Sequence, residues 1–266
     1  MKPLLVLLIS CLAIKNGLAQ EWQLVHSRQI TGIDKLAPNN SGLLASLHNG
    51  DVLKIDTTGK ILLRHSHQKN GPVTSIESWS SFKPVLFYSI FQELVILNRF
   101  YTETVRYELE TKGLGFVSAA SLNFEQNLWI VDEGDFMLKL LERKSFDLLT
   151  EQPFFQYLDE KNHDITFIKE YQNRLFVVDK VSGILMFDNL GSFIKKMDVT
   201  GVDRLDFKDE YFGWQNGGEY LVQEIYKGGQ RALELPKSNY RSVCRSGDYF
   251  YCVAGNLLDI YRYLRQ

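Results

Sequence analysis

Short apolar runs alternate with polar turns carrying Gly, Asp and Asn along most of the chain. The clearest copy runs through Gly42-Leu43-Leu44-Ala45-Ser46-Leu47, the turn His48-Asn49-Gly50-Asp51, Val52-Leu53-Lys54-Ile55-Asp56, the turn Thr57-Thr58-Gly59-Lys60, and Ile61-Leu62-Leu63-Arg64. Asn-Gly and Thr-Gly between apolar runs predict hairpins, because tight turns that match strand twist need positive φ. Taking Ile33, Ile76, Ser118, Phe167, Leu205 and Val243 as equivalent first-strand positions gives spacings of 43, 42, 49, 38 and 38 residues. That period suits one four-stranded propeller blade per repeat.

Six units follow: Ile30 to Ser66, Val73 to Leu109, Phe116 to Thr150, Ile165 to Val199, Arg204 to Leu235 and Arg241 to Leu264. The sixth has room for only three strands, which leaves an open edge of the kind that recruits unwanted partners. Trp22-Gln23-Leu24-Val25-His26-Ser27 is a strand-like run with no hairpin of its own. It is expected to supply the missing strand and close the ring. The predicted fold is therefore all-β, a six-bladed β-propeller closed by an N-terminal strand that completes the last blade. The 13% aromatic content suits blade-to-blade packing.

Residues 1–19 read as a signal peptide: Lys2, an apolar core from Pro3 to Ile14, and the small-x-small pattern Gly17-Leu18-Ala19 before Gln20. The apolar run is too short to span a bilayer, so no transmembrane segment is expected. Leu8-Ile9-Ser10-Cys11 also matches a lipid-modification pattern, but the residues from Leu12 to Ala19 are mostly apolar, unlike a polar tether. Export and cleavage leave residues 20–266 as one domain. The formal charge moves from −2 to −4, because Lys2 and Lys15 are removed and no acid is. With no basic stripe, nucleic acid is not an expected partner. Cys244 and Cys252 fall on neighbouring strands of the last unit. A turn centred on Ser246-Gly247 puts Cys244 opposite Tyr249 and turns Cys252 to the other face, so free buried thiols are expected over a disulfide.

Little in the sequence points to catalysis. His65 and His67 are two apart without a carboxylate at a matching offset, and read as a solvated strand end. The acidic turn Asp132-Glu133-Gly134-Asp135 lacks the ligand spacing of a calcium loop. No nucleophile elbow, zinc-protease helix or phosphate-cradling loop occurs, and no cofactor is expected. The inner-strand runs Phe116 to Ala120 and Ile165 to Ile168 carry no His, Arg or paired carboxylates. The largest interruption of the repeat is Glu151 to Asp164, which contains Phe154, Phe155, Tyr157 and Leu158. An aromatic-rich insertion either anchors a partner or folds down on its own blades. Because strands alternate in direction, it shares a face with the turns at His48 to Asp51, Ile90 to Glu93, Asp132 to Asp135 and Asp179-Lys180. The candidate partner-binding set on that face is Phe154, Phe155, Tyr157, Phe91, Asp132 and Asp135.

The strings Leu53-Lys54-Ile55-Asp56, Pro84-Val85-Leu86-Phe87-Tyr88 with Gln92 to Asn98, and Gly183-Ile184-Leu185-Met186-Phe187-Asp188 with Gly191 to Lys195 resemble an exported β-propeller family of the Bacteroidota. The resemblance covers most of the mature chain, and its motifs are those of blade structure. It implies a periplasmic, non-catalytic protein whose partner is an outer-membrane or periplasmic complex, with the barrel of the type 9 secretion translocon as the particular case. The competing function class is a periplasmic or surface carbohydrate-binding or lyase-like propeller enzyme.

Overall fold

The computed structural model describes residues 21–66, 71–80 and 83–264. Residues 1–19, expected to be a signal peptide and containing Cys11, and His67 lie outside them. Among the described residues, strand β1 (Trp22–Gln29) precedes blade 1, made of β2 (Ile33–Asn39), β3 (Gly42–Leu47), β4 (Val52–Asp56) and β5 (Ile61–His65). Blade 2 is β6 (Ser75–Ser80), β7 (Lys83–Tyr88), β8 (Glu93–Leu97) and β9 (Glu103–Glu108). A single 3-10 turn, Leu109–Lys112, leads to blade 3: β10 (Val117–Leu122), β11 (Leu128–Asp132), β12 (Met137–Leu141) and β13 (Leu148–Pro153). Blade 4 is β14 (Ile165–Tyr171), β15 (Arg174–Asp179), β16 (Gly183–Asp188) and β17 (Phe193–Met197). Blade 5 is β18 (Asp206–Lys208), β19 (Tyr211–Asn216), β20 (Glu219–Glu224) and β21 (Gln230–Glu234), and the last blade holds β22 (Ser242–Ser246), β23 (Tyr249–Ala254) and β24 (Leu257–Tyr263).

Each sheet is an antiparallel meander of four strands, and the last has the order β1-β24-β23-β22. The protein is a six-bladed β-propeller whose final blade takes its outer strand from the N-terminal end of the described chain. The second and third strands of each blade are covered on both faces and read as near-continuous apolar runs; Leu128, Trp129, Ile130 and Val131 of β11 are all buried. The outermost strands meet solvent on one side and alternate, as β5 does. Six apolar clusters result, one at each junction between neighbouring blades.

The Asn-Gly signal in blade 1 has a definite geometric origin. Gly50 has φ +87°, and a Cβ there would stand 2.4 Å from the Gly71 carbonyl oxygen on the connection entering blade 2. Only glycine permits both the left-handed backbone and that approach.

Closure is built from packing and polar locks together. Trp22 is opposite Tyr263 in the β1–β24 register and sits edge-on to Phe250, with ring centroids 4.8 Å apart. Its indole Nε1 donates to the Glu234 carbonyl of blade 5 at 2.9 Å, so one side chain joins the first strand to two blades. Further along β1, the Ser27 hydroxyl donates to Asp259 Oδ1 at 2.5 Å, while Lys237 Nζ and Tyr240 OH donate to Oδ2 at 2.6 and 2.8 Å. Burial pushes the Asp259 carboxyl up, but these donors outweigh it and hold its pKa below the ordinary carboxylate value.

Several expectations need correction. The hairpin of β22 and β23 turns at Gly247-Asp248, so Cys244 pairs with Tyr251 and Cys252 with Val243. The two thiols do lie on opposite faces, both buried and free. His65 is not solvated: it is buried, with Nδ1 2.9 Å from the Tyr101 carbonyl of the next blade. Glu151 to Pro153 belong to the outer strand β13, which shortens the insertion to Phe154 through Asp164.

Deleting Trp22 to Ser27 is expected to lower stability by several kcal/mol, at least the about 3–5 kcal/mol of losing one buried Trp. Unchanged thermal melting of the truncated chain would contradict the closure described here.

Candidate functional site

Connections between blades and the turns between second and third strands form one rim of the ring. They are stitched together by recurring backbone bonds: His48 N donates to Gly32 O, Glu133 N to Phe116 O, and Lys180 N to Asp164 O, each at 2.8 Å. Two side chains reinforce the same pattern. Asp132 accepts from the amides of Gly115 and Gly134 and from Lys139 Nζ; Asp179 accepts from the amides of Asp164, Val181 and Ser182. In both blades a buried carboxylate at the end of the second strand pins the incoming connection to its own turn. Gln92 does related work in blade 2, exchanging two hydrogen bonds with the backbone of Val117.

The predicted partner-binding set divides on this rim. Phe154 is fully buried, packed between Phe136 and Phe187, and Tyr157 stacks on Phe193 at 4.1 Å. The insertion is folded onto blades 3 and 4, and of its large apolar side chains only Phe155, 65% exposed, stands out from it. Asp132 is 1% exposed and spent on the turn. Asp135 remains half-exposed beside Lys139, and Phe91 is 45% exposed. Two residues missing from the predicted set join them: Ile90 at 74% and Phe116 at 53%. The rim thus presents Ile90, Phe91, Phe116 and Phe155 along blades 2 to 4, on turns that backbone and side-chain bonds hold in place. His163 clamps the insertion, its Nε2 2.7 Å from Glu133 Oε2. Burial lowers its pKa, but Glu133 outweighs this and holds it above the ordinary histidine value.

The central channel carries its charged groups outside the runs Phe116 to Ala120 and Ile165 to Ile168. Glu77 of β6 accepts from the Ser121 hydroxyl at 2.5 Å, the Leu122 amide and Lys169 Nζ at 3.4 Å, so Lys169 of β14 reaches between blades 4 and 2. At the junction of blades 5 and 6, Asp206 accepts from Arg204 Nη2 at 2.8 Å, Tyr220 OH at 3.1 Å, the Arg245 amide at 2.6 Å and Cys244 Sγ at 3.6 Å. Burial favours an uncharged Arg204, but Asp206 outweighs it and raises the Arg204 pKa. Ile76, Phe167 and Arg204 form the waist, lining cavities of about 450 and 460 Å³ at the two mouths. Among the described residues no group of three or more His, Cys, Asp or Glu is placed to hold a metal ion, and no helix is long and apolar enough to cross a membrane.

Neither a protein-family model nor a curated protein matches the sequence. Solved structures do share its shape. The β-propeller domain of Cps50 (Swd1) from Myceliophteria thermophila is similar with a TM-score of 0.64 and 13% identity, over 91% of this chain and 99% of that one. A catalytically inactive virginiamycin B lyase from Staphylococcus aureus, solved with quinupristin, is similar with a TM-score of 0.63 and 11% identity over 91% and 99%. BamB from Moraxella catarrhalis gives 0.53 and 8% over 92% and 98%. At such identities the likeness establishes the propeller fold.

Adjacent phenylalanines of the insertion should behave oppositely. Phe154→Ala is expected to lower stability by about 3–5 kcal/mol, and Phe155→Ala by no more than about 0.5 kcal/mol. Chemical denaturation of the two variants measures this, and equal losses would contradict the described packing.

Proposed function

We propose that this protein is a non-catalytic interaction module that docks through the rim of blades 2 to 4. The observation that carries the reading is the row of exposed Ile90, Phe91, Phe116 and Phe155 on turns fixed by Gln92, Asp132 and their backbone bonds. Aromatic and large apolar side chains on rigid supports supply most of the energy of an interface, and rigidity reduces the ordering that docking requires. Asp135 and its neighbours supply a polar border. The rival class, a lyase-like enzyme, needs a group free to move a proton. In the channel both buried carboxylates already accept several hydrogen bonds, and none of the four described histidines lines its cavities.

The finer reading follows from the sequence resemblance. The chain is a periplasmic Plug subunit of the type 9 secretion translocon, closing the periplasmic mouth of the outer-membrane barrel by shape and surface. The signal-peptide pattern of residues 1–19 agrees with export to that compartment.

The test is binding of the purified chain to the purified translocon barrel of the same host, compared with the triple variant Ile90→Ser, Phe91→Ser, Phe155→Ser. The expected result is binding by the parent chain and a loss of about 2 kcal/mol or more, roughly 30-fold, in the variant at unchanged melting temperature. Absence of parent binding contradicts the translocon assignment; equal binding of both contradicts the rim.

A further inference from the structure

The mouth on the opposite face, where first and second strands of each blade meet, opens into a cavity of about 450 Å³. This is within the size range that encloses a small molecule. One wall is aromatic: Phe167, Tyr171 and Phe207 all line it, with Tyr171 and Phe207 stacked at 4.7 Å and 28° and Phe167 and Phe207 at 6.4 Å and 22°. The Tyr171 hydroxyl donates to the Asp209 carbonyl at 2.9 Å, which fixes that ring in place. Asn40 and Ser78 stand among the polar lining residues.

Arg204 lies at the inner end of this cavity, and its hydrogen bonding is incomplete. A guanidinium carries five N–H donors. The structure gives Arg204 one hydrogen bond, from Nη2 to Asp206, and its Nε is buried without a partner although the side chain is 21% exposed. Asp206 has no spare capacity to help, since four donors already converge on it. The buried Nε is out of a ligand's reach, and the exposed part of the side chain is its Nη end, where a planar carboxylate can accept from the two Nη nitrogens in a fork of the kind by which Arg binds carboxylates.

We propose that this cavity binds a small carboxylate whose body is flat enough to lie on the Phe167, Tyr171 and Phe207 wall while its carboxyl group meets Arg204. Two sources share that chemistry, an acidic sugar and an aromatic acid. Lys169 lines the same cavity, with its ammonium 3.4 Å from Glu77, which lines it too. The site is separate from the docking rim, because Ile90, Phe91 and Phe155 lie at the other mouth.

The experiment is a titration of the full chain with glucuronate and, separately, benzoate, followed by the NMR resonance of the Arg204 Nε–H and by calorimetry. Glucose serves as the uncharged control. The expected result is a saturable shift of that resonance by at least one acid, no response to glucose, and at least tenfold weaker binding in Arg204→Lys, which keeps the ion pair to Asp206 but loses the fork. Response to glucuronate identifies the sugar source; response to benzoate alone identifies the aromatic one. A flat resonance with both acids overturns the proposal, as does equal binding of glucose or undiminished binding by a folded Arg204→Lys. If that variant does not fold, the resonance titration of the parent chain decides.

Discussion

Everything in this molecule depends on one pairing of strands from distant parts of the sequence, β1 with β24. A propeller blade cannot bury both its faces alone, because each face is covered only by the next blade around the ring. Six junction clusters are needed, and the pairing secures two of them: the cluster joining blades 5 and 6, which contains Trp22, and the one joining blades 6 and 1, which continues into Ile30. The entropy of closing so long a loop grows only slowly with its length. The packing of Trp22 and the saturated hydrogen bonding of Asp259 are the local interactions that offset it.

A closed ring gives rigid turns at both mouths, and the two mouths differ in chemistry. On one, buried carboxylates and Gln92 hold the loops so that apolar side chains project from fixed positions. On the other, aromatic residues form one wall of a channel whose charged groups pair across blades. Asp132 and Asp179 show how the first arrangement is built: they are acids in the sequence but turn anchors in the fold, each meeting amide donors that arrive from the preceding connection.

The architecture was legible in the sequence because its signals are local. Asn49-Gly50 marks a hairpin wherever it occurs, the repeat spacing counts blades, and the absent strand of the last unit points to Trp22 through Ser27. The fate of individual site residues was not legible, because it is decided by neighbours far along the chain. Phe154 and Phe155 are adjacent and chemically identical, yet Phe136 and Phe187 enclose one and leave the other in water. Glu77 and Lys169 become partners only once blades 2 and 4 face each other across the channel. The shift of the last hairpin from Ser246-Gly247 to Gly247-Asp248 moved the Cys244 pairing by two positions while leaving both thiols on their expected faces.

Native-state hydrogen exchange tests the dependence on closure most directly. If the β1–β24 pairing holds the ring, the bonded amides of β1 exchange with the same opening free energy as those of the central strands β11 and β15, as one cooperative unit. Exchange of the β1 amides at a much lower opening free energy, with β11 and β15 still fully protected, would show a ring that stands without its closing strand and would contradict the account.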